Sequence, residues 1–419
     1  MKKSLLPFFL LLNAELSSAQ FVNVPFDQDY PDKKSSVTLN ADYFCSSNAI
    51  TTQFVNSFYQ GQFLSGSLIN SVSNKLIGQN QLGAEINIGI QCQFRPDTSS
   101  RFKKLSFFIH LQNREHVDVG FPRDLFNLLF YGNEPFQGQT ANLSNFNMHL
   151  LQYQQFQFGI TGKLDHSNIR WSIGISVLNG QQYQNIEATT ANLYTAQGGQ
   201  YLDFNSNVTY KQSDPAMGNF GSNSGAGFST DLFAEIPLLT RENHLEKLSL
   251  ELRDLGAIWW NRSSTKTTAD SNYYYNGISV PDILNLSNTK FGVVNTDSIY
   301  KKATQSTSGQ IASLLPGLIH INSLSTLGKW QFSKGLRYLY NANYKLNMYV
   351  TANYFATKKL ILSLGCSYGG YSRFNVNAGA ALNCGKGYIM SLQSNNFDGF
   401  ILPQIALGQS LSVFVTKHF

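Results

Sequence analysis

The sequence predicts an all-β fold, a transmembrane antiparallel up-and-down β-barrel of about 14 strands. Segments of roughly ten residues alternate apolar and polar side chains, as strands that cross a bilayer do. Charged residues make up 13% of the chain, and 31 Phe and 21 Tyr dominate its aromatics. A soluble domain carries about 25% charged residues, whereas a barrel needs aromatic girdles and a polar interior. The composition therefore favours a membrane barrel.

The N-terminus has the pattern of an export signal. Lys2 and Lys3 precede an apolar run at 5–12, and Ser17, Ser18 and Ala19 provide small residues for cleavage. A membrane helix is the alternative, but the run is shorter than the ~20 residues that such a helix needs. We therefore expect a signal peptide at 1–19 and one outer-membrane barrel domain at 20–419. No later apolar run is long enough for a membrane helix, so the mature chain is either soluble and exported or a membrane β-barrel, and the composition favours the barrel.

The clearest predicted strand covers residues 84–94. Its apolar face carries Ile86, Ile88, Ile90, Cys92 and Phe94, and its polar face carries Glu85, Asn87, Gly89, Gln91 and Gln93. The same alternation recurs at 105–112, 248–253, 360–368 and 374–384. At roughly 25 residues per strand and connection, the mature chain allows about 14 strands, and 12 to 16 are compatible with its length.

The last strand and the cysteines follow the same alternation. Leu411, Val413, Val415 and Phe419 share one face, which Lys417 interrupts. A final aromatic strand resembles the signal read by the barrel-assembly machinery, so we expect that machinery as a partner. Each of the four cysteines (Cys45, Cys92, Cys366 and Cys384) lies on the apolar face of its strand. They are expected to act as small apolar side chains rather than as disulfides.

Three segments do not have the strand pattern. Residues 50–78 repeat apolar side chains every four positions, and residues 122–131 begin with a proline suited to a first helical turn and are followed by Gly132. Both segments predict short helices, which we expect in or under the lumen, capping the periplasmic mouth. Residues 261–308 are rich in Ser, Thr, Asn and Tyr and predict one or two long extracellular loops.

Candidate functional residues cluster in one predicted strand. Glu251 and Arg253 alternate with Leu250 and Leu252, so they face the lumen if the leucines face lipid. With Asp254 they are candidates for a constriction or a ligand-anchoring site. The same side chains could instead form a salt-bridge network that only rigidifies the barrel.

Two further pairs of residues share this ambiguity. Trp259 and Trp260 either shape the candidate site or belong to an interfacial aromatic girdle. Arg114 and Arg123, beside the second predicted helix, are either lumen ligands or structural charges. Neither metal-ligand spacing nor a nucleotide-binding or nucleophile motif is present in a suitable setting. We therefore expect no cofactor, no metal, no enzymatic activity and no nucleic-acid partner.

The sequence also resembles a known family. The resemblance rests on residues 82–89 (LGAEINIG), 122–126 (PRDLF), 130–133 (FYGN), 176–180 (SVLNG), 225–232 (GAGFSTDL), 252–261 (LRDLGAIWWN) and 392–396 (LQSNN). These segments resemble the Bacteroidota outer-membrane barrels of unknown function that are similar to the FadL fatty-acid transporter superfamily. The resemblance implies an outer-membrane location, contact with outer-membrane lipid, and passive transport of a small hydrophobic compound. The alternative function is a non-transporting scaffold or accessory part of a secretion, gliding or adhesion complex.

Overall fold

The computed structural model describes residues 34–96, 105–164, 167–216, 220–241, 244–276 and 304–419. The predicted signal peptide at 1–19 lies outside the described residues, and so does the 277–303 part of the predicted polar loops.

The described residues form nineteen strands, most of which belong to one barrel. The strands are β1 (Ser35–Ser47), β2 (Gln79–Phe94), β3 (Leu105–Pro122), β4 (Gln139–Asn142), β5 (Phe146–Lys163), β6 (Arg170–Thr195), β7 (Leu202–Gln212), β8 (Gly225–Arg241), β9 (His244–Trp260), β10 (Thr265–Tyr275), β11 (Thr304–Ser308), β12 (Ile311–Leu314), β13 (Gly317–Leu327), β14 (Trp330–Tyr340), β15 (Lys345–Phe355), β16 (Leu360–Gly370), β17 (Phe374–Gly385), β18 (Tyr388–Ser394) and β19 (Gly408–His418).

Fourteen of these strands close an antiparallel barrel, which confirms the predicted fold class. Their order is β1–β2–β3–β5–β6–β8–β9–β13–β14–β15–β16–β17–β18–β19, and β19 pairs back with β1 from Ser36↔His418 to Ser46↔Gly408. Closure satisfies the backbone hydrogen bonds of every strand without leaving an open edge, which a bilayer requires.

The outer wall of the barrel is apolar. One row of paired, outward-facing side chains crosses six neighbouring strands: Leu39, Ile90, Leu111, Phe156, Val177 and Phe228. All six are exposed, and Val177 is 65% exposed. Soluble proteins rarely expose contiguous apolar patches larger than a few hundred Å². This wall is therefore the surface that lipid would cover.

Many of the inward-facing side chains are polar and tightly enclosed. Examples are Asn40, Asp42, Gln155, Ser176 and Asn377, each of which is less than a tenth exposed. Glycine occurs where side chains from the two neighbouring strands meet above its backbone, because a Cβ there would clash with them. A Cβ at Gly89 would lie 2.6 Å from Asn40 Oδ1 and 2.8 Å from His110 Nε2, which are themselves 3.2 Å apart. The polar faces predicted from the alternation thus fill the lumen rather than line a wide pore.

The two ends of the barrel differ in their connections. At the terminus-side mouth, where β1 begins and β19 ends, the backbone N–H of Lys34 donates to the carbonyl of Phe419 over 3.2 Å. The connections at this mouth are short, and the longest spans residues 95–104. The opposite, far mouth carries the long connections, at 48–78, 123–145, 196–224, 261–316 and 395–407.

The short helices form where predicted but do not lie in or under the lumen. They are α1 (Thr52–Tyr59), α2 (Gly66–Ser73) and α3 (Arg123–Tyr131). A fourth helix, α4 (Asp398–Ile401), was not predicted, and all four belong to far-mouth connections. Phe54, Val72 and Phe126 of the first three pack with Phe121, beside Leu82 and Val119. Leu82 lies on the same face of β2 as the exposed Ile90, and Val119 lies on the same face of β3 as the exposed Leu111. Helices α1, α2 and α3 therefore cover the outer wall, because their apolar faces match this wall better than they match the polar lumen. None of the helices in the described ranges could span a membrane.

A second sheet extends the barrel at the far mouth. Strand β6 pairs with β8 as far as Gly180, and from Gln184 it pairs with β7 instead. The sheet then continues from β7 through β10 to β11. The 261–308 segment does connect barrel strands β9 and β13, as a loop would. It is not all loop, however, because β10 and β11 lie within it. Side chains of β7 alternate between the two faces of this sheet. Phe204 and Val208 pack against an apolar cluster on one face, and Asp203 and Asn205 are exposed on the other.

Candidate lumen site

The candidate site is built around a β-bulge at Asp254. Thr230 pairs with Leu255 and Leu232 pairs with Leu252, so Asp231 stands opposite both Arg253 and Asp254. Asp254 has a φ of 58°, a left-handed conformation that Asp and Asn tolerate better than most side chains. The Asp231 carboxylate accepts the backbone N–H of Asp254 over 2.8 Å and so holds the bulge.

Because of the bulge, the side chain of Asp254 points across the lumen towards Arg114. Arg114 Nη1 of β3 lies 2.5 Å from Asp254 Oδ2 of β9, although three strands separate β3 from β9 in the barrel wall. Both side chains are largely buried. Gln155 donates to Asp254 Oδ1 over 3.3 Å and to Ser176 and Ser229, which positions the carboxylate. We call Arg114–Asp254 the lumen ion pair.

Glu251 organises a second group of charges beside the lumen ion pair. Its carboxylate lies 3.0 Å from Arg253 Nε and 3.0 Å from His320 Nδ1. The other ring nitrogen of His320 lies 2.7 Å from the hydroxyl of Tyr349. On the far side of the lumen, Glu85 lies 2.9 Å from His116 Nδ1. The carboxylates of Glu251 and Glu85, on opposite walls, therefore each have a partner within hydrogen-bonding distance.

A small cavity of about 90 Å³ lies within this network. Its lining includes Glu85, Arg114, Arg253, Asp254, Arg337 and Tyr371. A space of this size holds a few water molecules, whereas pockets for drug-sized ligands measure about 300–1,000 Å³. The described lumen is therefore closed to such a ligand, and the cavity wall combines charged side chains with apolar ones such as Phe44, Leu318 and Leu339.

Two far-mouth turns, at 341–344 and 371–373, close the lumen above this cavity. We call them the crossing turns. Asn343 donates its backbone N–H to Asp118 of β3 over 2.9 Å and its side-chain amide to the same carboxylate over 2.6 Å. Its side chain also hydrogen-bonds to Asn147 of β5. Since the turn joins β14 to β15, these bonds reach the opposite wall of the barrel.

Two tyrosines of the crossing turns fill the remaining space. The rings of Tyr344 and Tyr371 meet edge to face at 5.1 Å, and Tyr371 also packs on Phe44. A Cβ at Gly83 would lie 2.1 Å from the Tyr371 ring, so β2 accepts this ring only because residue 83 is glycine. Burial raises the pKa of Tyr344 to about 12, so its phenol stays neutral. The rings of Tyr344 and Tyr371 thus act as an uncharged cover over a charged layer.

The structure separates the predicted site residues into three groups. Arg114, Glu251, Arg253 and Asp254 meet in the lumen. The bulge reverses strand parity, so Trp260 points inward and donates to Ser313 over 2.8 Å, while Trp259 points outward and stacks on Phe228. Arg123 begins α3 on the outer wall and does not join the lumen residues.

Several members of the network were not among the predicted site residues. Glu85 stood on the polar face of its predicted strand, but a single carboxylate on such a face is not distinctive. His320 and Asp231 belong to strands whose neighbours across the barrel cannot be read from local alternation. Tyr344 and Tyr371 lie in turns whose path across the lumen depends on tertiary contacts. No group of metal-binding side chains occurs within the described ranges.

The fold and this site define a class: a closed 14-stranded membrane-type barrel with an apolar outer wall and a charged, closed lumen. The chain belongs to a family of unknown function, DUF5723, whose model matches residues 37–391. This bears out the predicted membership of a family without an assigned function. No curated protein matches the sequence.

Several solved outer-membrane barrels are similar in fold. A mutant of the TodX monoaromatic hydrocarbon channel is 10% identical with a TM-score of 0.48, over 97% of this chain and 96% of its own. The Pseudomonas putida toluene transporter TodX is 9% identical with a TM-score of 0.46, over 97% and 95%. A Pseudomonas aeruginosa FadL homologue is 9% identical with a TM-score of 0.38, over 93% and 91%. Likenesses at this level do not identify a substrate for the present chain.

Proposed function

We propose that this protein is an outer-membrane barrel that transports a small compound by opening a lumen that is closed at rest. The observation that carries the proposal is the lumen ion pair. It ties strands on different parts of the barrel wall beside a small cavity, under a cover of crossing turns. Such a layer closes the lumen with contacts that are reversible, since water can replace each of them.

The outer-membrane location is supported by the two surfaces of the barrel. Lipid exposure of a charged side chain at mid-membrane costs about 2–4 kcal/mol, and the described outer wall is accordingly apolar. Outer-membrane barrels have short periplasmic turns and long extracellular loops. The terminus-side mouth would then face the periplasm, and the helices and sheet extension would lie at the cell surface.

The nature of the transported compound is a separate part of the proposal. The family resemblance implies a small hydrophobic compound. The cavity lining instead combines three arginines, two carboxylates and several amides, which favours a small polar solute for a route through the lumen. We expect a solute of either kind to require displacement of the crossing turns, because the cavity is too small without it.

A scaffold function is the second candidate, and the sheet extension favours it. One face of β6, β7 and β10 presents the cross-strand row Tyr194, Asp203 and Tyr274. Tyr274 is 64% exposed and its ring lies 4.9 Å from that of Tyr201. Exposed tyrosines beside polar side chains are common in protein-binding surfaces. A scaffold would use this face and keep its lumen closed.

Solute flux into proteoliposomes separates the two candidates. Replacing Tyr344 and Tyr371 by alanine removes the aromatic cover, so we expect swelling rates in small sugars or amino acids to rise at least several-fold over the wild type. Tyr338→Ala is the matched control, because Tyr338 is exposed on the outer wall of the same strand pair. Unchanged flux in the double variant, with the barrel folded, would favour the scaffold.

A further inference from the structure

The charges at the two mouths of the barrel are distributed unequally. Five of the six connections at the terminus-side mouth carry an exposed lysine or arginine among the described side chains. These residues are Arg95, Lys163, Lys329, Lys358, Lys359 and Lys386, which we call the basic rim. The sixth connection, between β8 and β9, has its tip outside the described residues.

Among the side chains that the structure describes, acidic ones do not balance the basic rim. Of the described side chains at this mouth, Glu235 and Glu246 are acidic. Glu235 is buried and lies 2.7 Å from Arg170 and 3.0 Å from Lys247, so its charge is already matched by residues outside the rim. The far mouth is different, because exposed basic and acidic side chains occur there together among the described residues. The basic ones are Arg123, Arg262, Lys266, Lys345 and Arg373, and the acidic ones are Glu134, Glu187, Asp203 and Asp270.

An aromatic girdle lies directly below the basic rim on the outer wall. Trp330 and Tyr354 contact each other at 4.8 Å beside Lys329, and Phe94 stacks on Phe107 at 5.4 Å beside Arg95. Lys417, on the outward face of β19, lies with its ammonium 4.0 Å from the Tyr388 ring. Trp and Tyr concentrate at the level of lipid head groups, and lysines beside them reach outward to that level.

We propose that the basic rim binds the head groups of anionic phospholipids around the terminus-side mouth. The rim is continuous with the lipid-facing wall, stands at head-group height above the girdle, and has the complementary charge. Each lysine or arginine near an anionic leaflet contributes on the order of 1 kcal/mol. Anionic phospholipid would thus orient the barrel, with the terminus-side mouth in the phospholipid leaflet. This proposal rests on the proposed membrane location.

Lipid binding by the refolded full-length barrel tests the proposal. Native mass spectrometry in micelles titrated with phosphatidylglycerol or phosphatidylcholine should show preferential binding of phosphatidylglycerol, weakened by added salt. Replacing Lys329, Lys358 and Lys359 by glutamine should weaken phosphatidylglycerol binding by roughly fivefold for each lysine removed. The matched control replaces Arg123, Arg262 and Lys266 by glutamine at the far mouth and should leave the binding unchanged.

The possible results separate this proposal from the proposed function. Equal binding of the two lipids, or an equal loss in the rim variant and the far-mouth control, would overturn the role of the basic rim. Refolding of the wild type in pure phosphatidylcholine vesicles, followed by heat-modifiable gel migration, tests the membrane barrel alone. A barrel that folds there but shows no lipid preference keeps the proposed function and loses only this inference.

Discussion

Asp254→Ala is expected to destabilise the barrel by about 3–5 kcal/mol, because it leaves the buried Arg114 guanidinium without its carboxylate. It also removes one of the three acceptors of Gln155 and places alanine at a left-handed φ. Denaturant unfolding in vesicles, followed by tryptophan fluorescence, measures the loss. Asp254→Asn should lose less, because asparagine tolerates the same backbone conformation and keeps a hydrogen-bonding oxygen.

The control for this prediction is Asp203→Ala, which removes an exposed carboxylate from the sheet extension. We expect it to change the free energy of unfolding by less than about 0.5 kcal/mol, as surface substitutions usually do. If Asp254→Ala were as mild as Asp203→Ala, the lumen ion pair would contribute little, and the closed lumen would have to depend on the crossing turns.

Leu364→Arg should cost about 2–4 kcal/mol in a bilayer, because it places a charge near the middle of the lipid-facing wall. Leu364 is 64% exposed and lies at the centre of β16. In a soluble protein, an exposed Leu→Arg change would be nearly neutral, so the substitution distinguishes lipid from water around the barrel. The free energy of unfolding in vesicles, compared with wild type, is the measurement.

Asn272→Arg serves as the partner variant for Leu364→Arg. Asn272 is exposed on β10, outside the barrel wall, so an arginine there should remain in water and leave stability unchanged. Equal and small effects of both substitutions would contradict a lipid-covered outer wall.

Strand alternation was sufficient to predict the barrel but not the path of every side chain. A period of two assigns Ile86, Ile88 and Ile90 to one face, and the structure places them on the outer wall. The same rule fails across the Asp254 bulge, where one extra residue reverses the parity. Without the bulge, Trp260 would share the outward face of Leu250 and Leu252; with it, Trp259 faces outward and Trp260 is buried within the barrel.

The positions of the helices show a second limit of local sequence patterns. Local sequence patterns predicted short helices within residues 50–78 and 122–131, but they could not state which wall these helices cover. Their apolar faces match Leu82, Val119 and Phe121 on the outer wall, and this match depends on strand register. The path of the crossing turns is harder still to predict from local sequence, because the hydrogen bonds between Asn343 and Asp118 join residues 225 positions apart.

Single-channel conductance in planar bilayers tests the central claim of a closed but openable lumen most directly. We expect the wild type to stay mostly closed, with brief discrete openings. Arg114→Met or Asp254→Asn should raise the open probability severalfold, because each breaks the lumen ion pair. A wild-type barrel that conducts steadily, or folded variants that never conduct, would contradict the account.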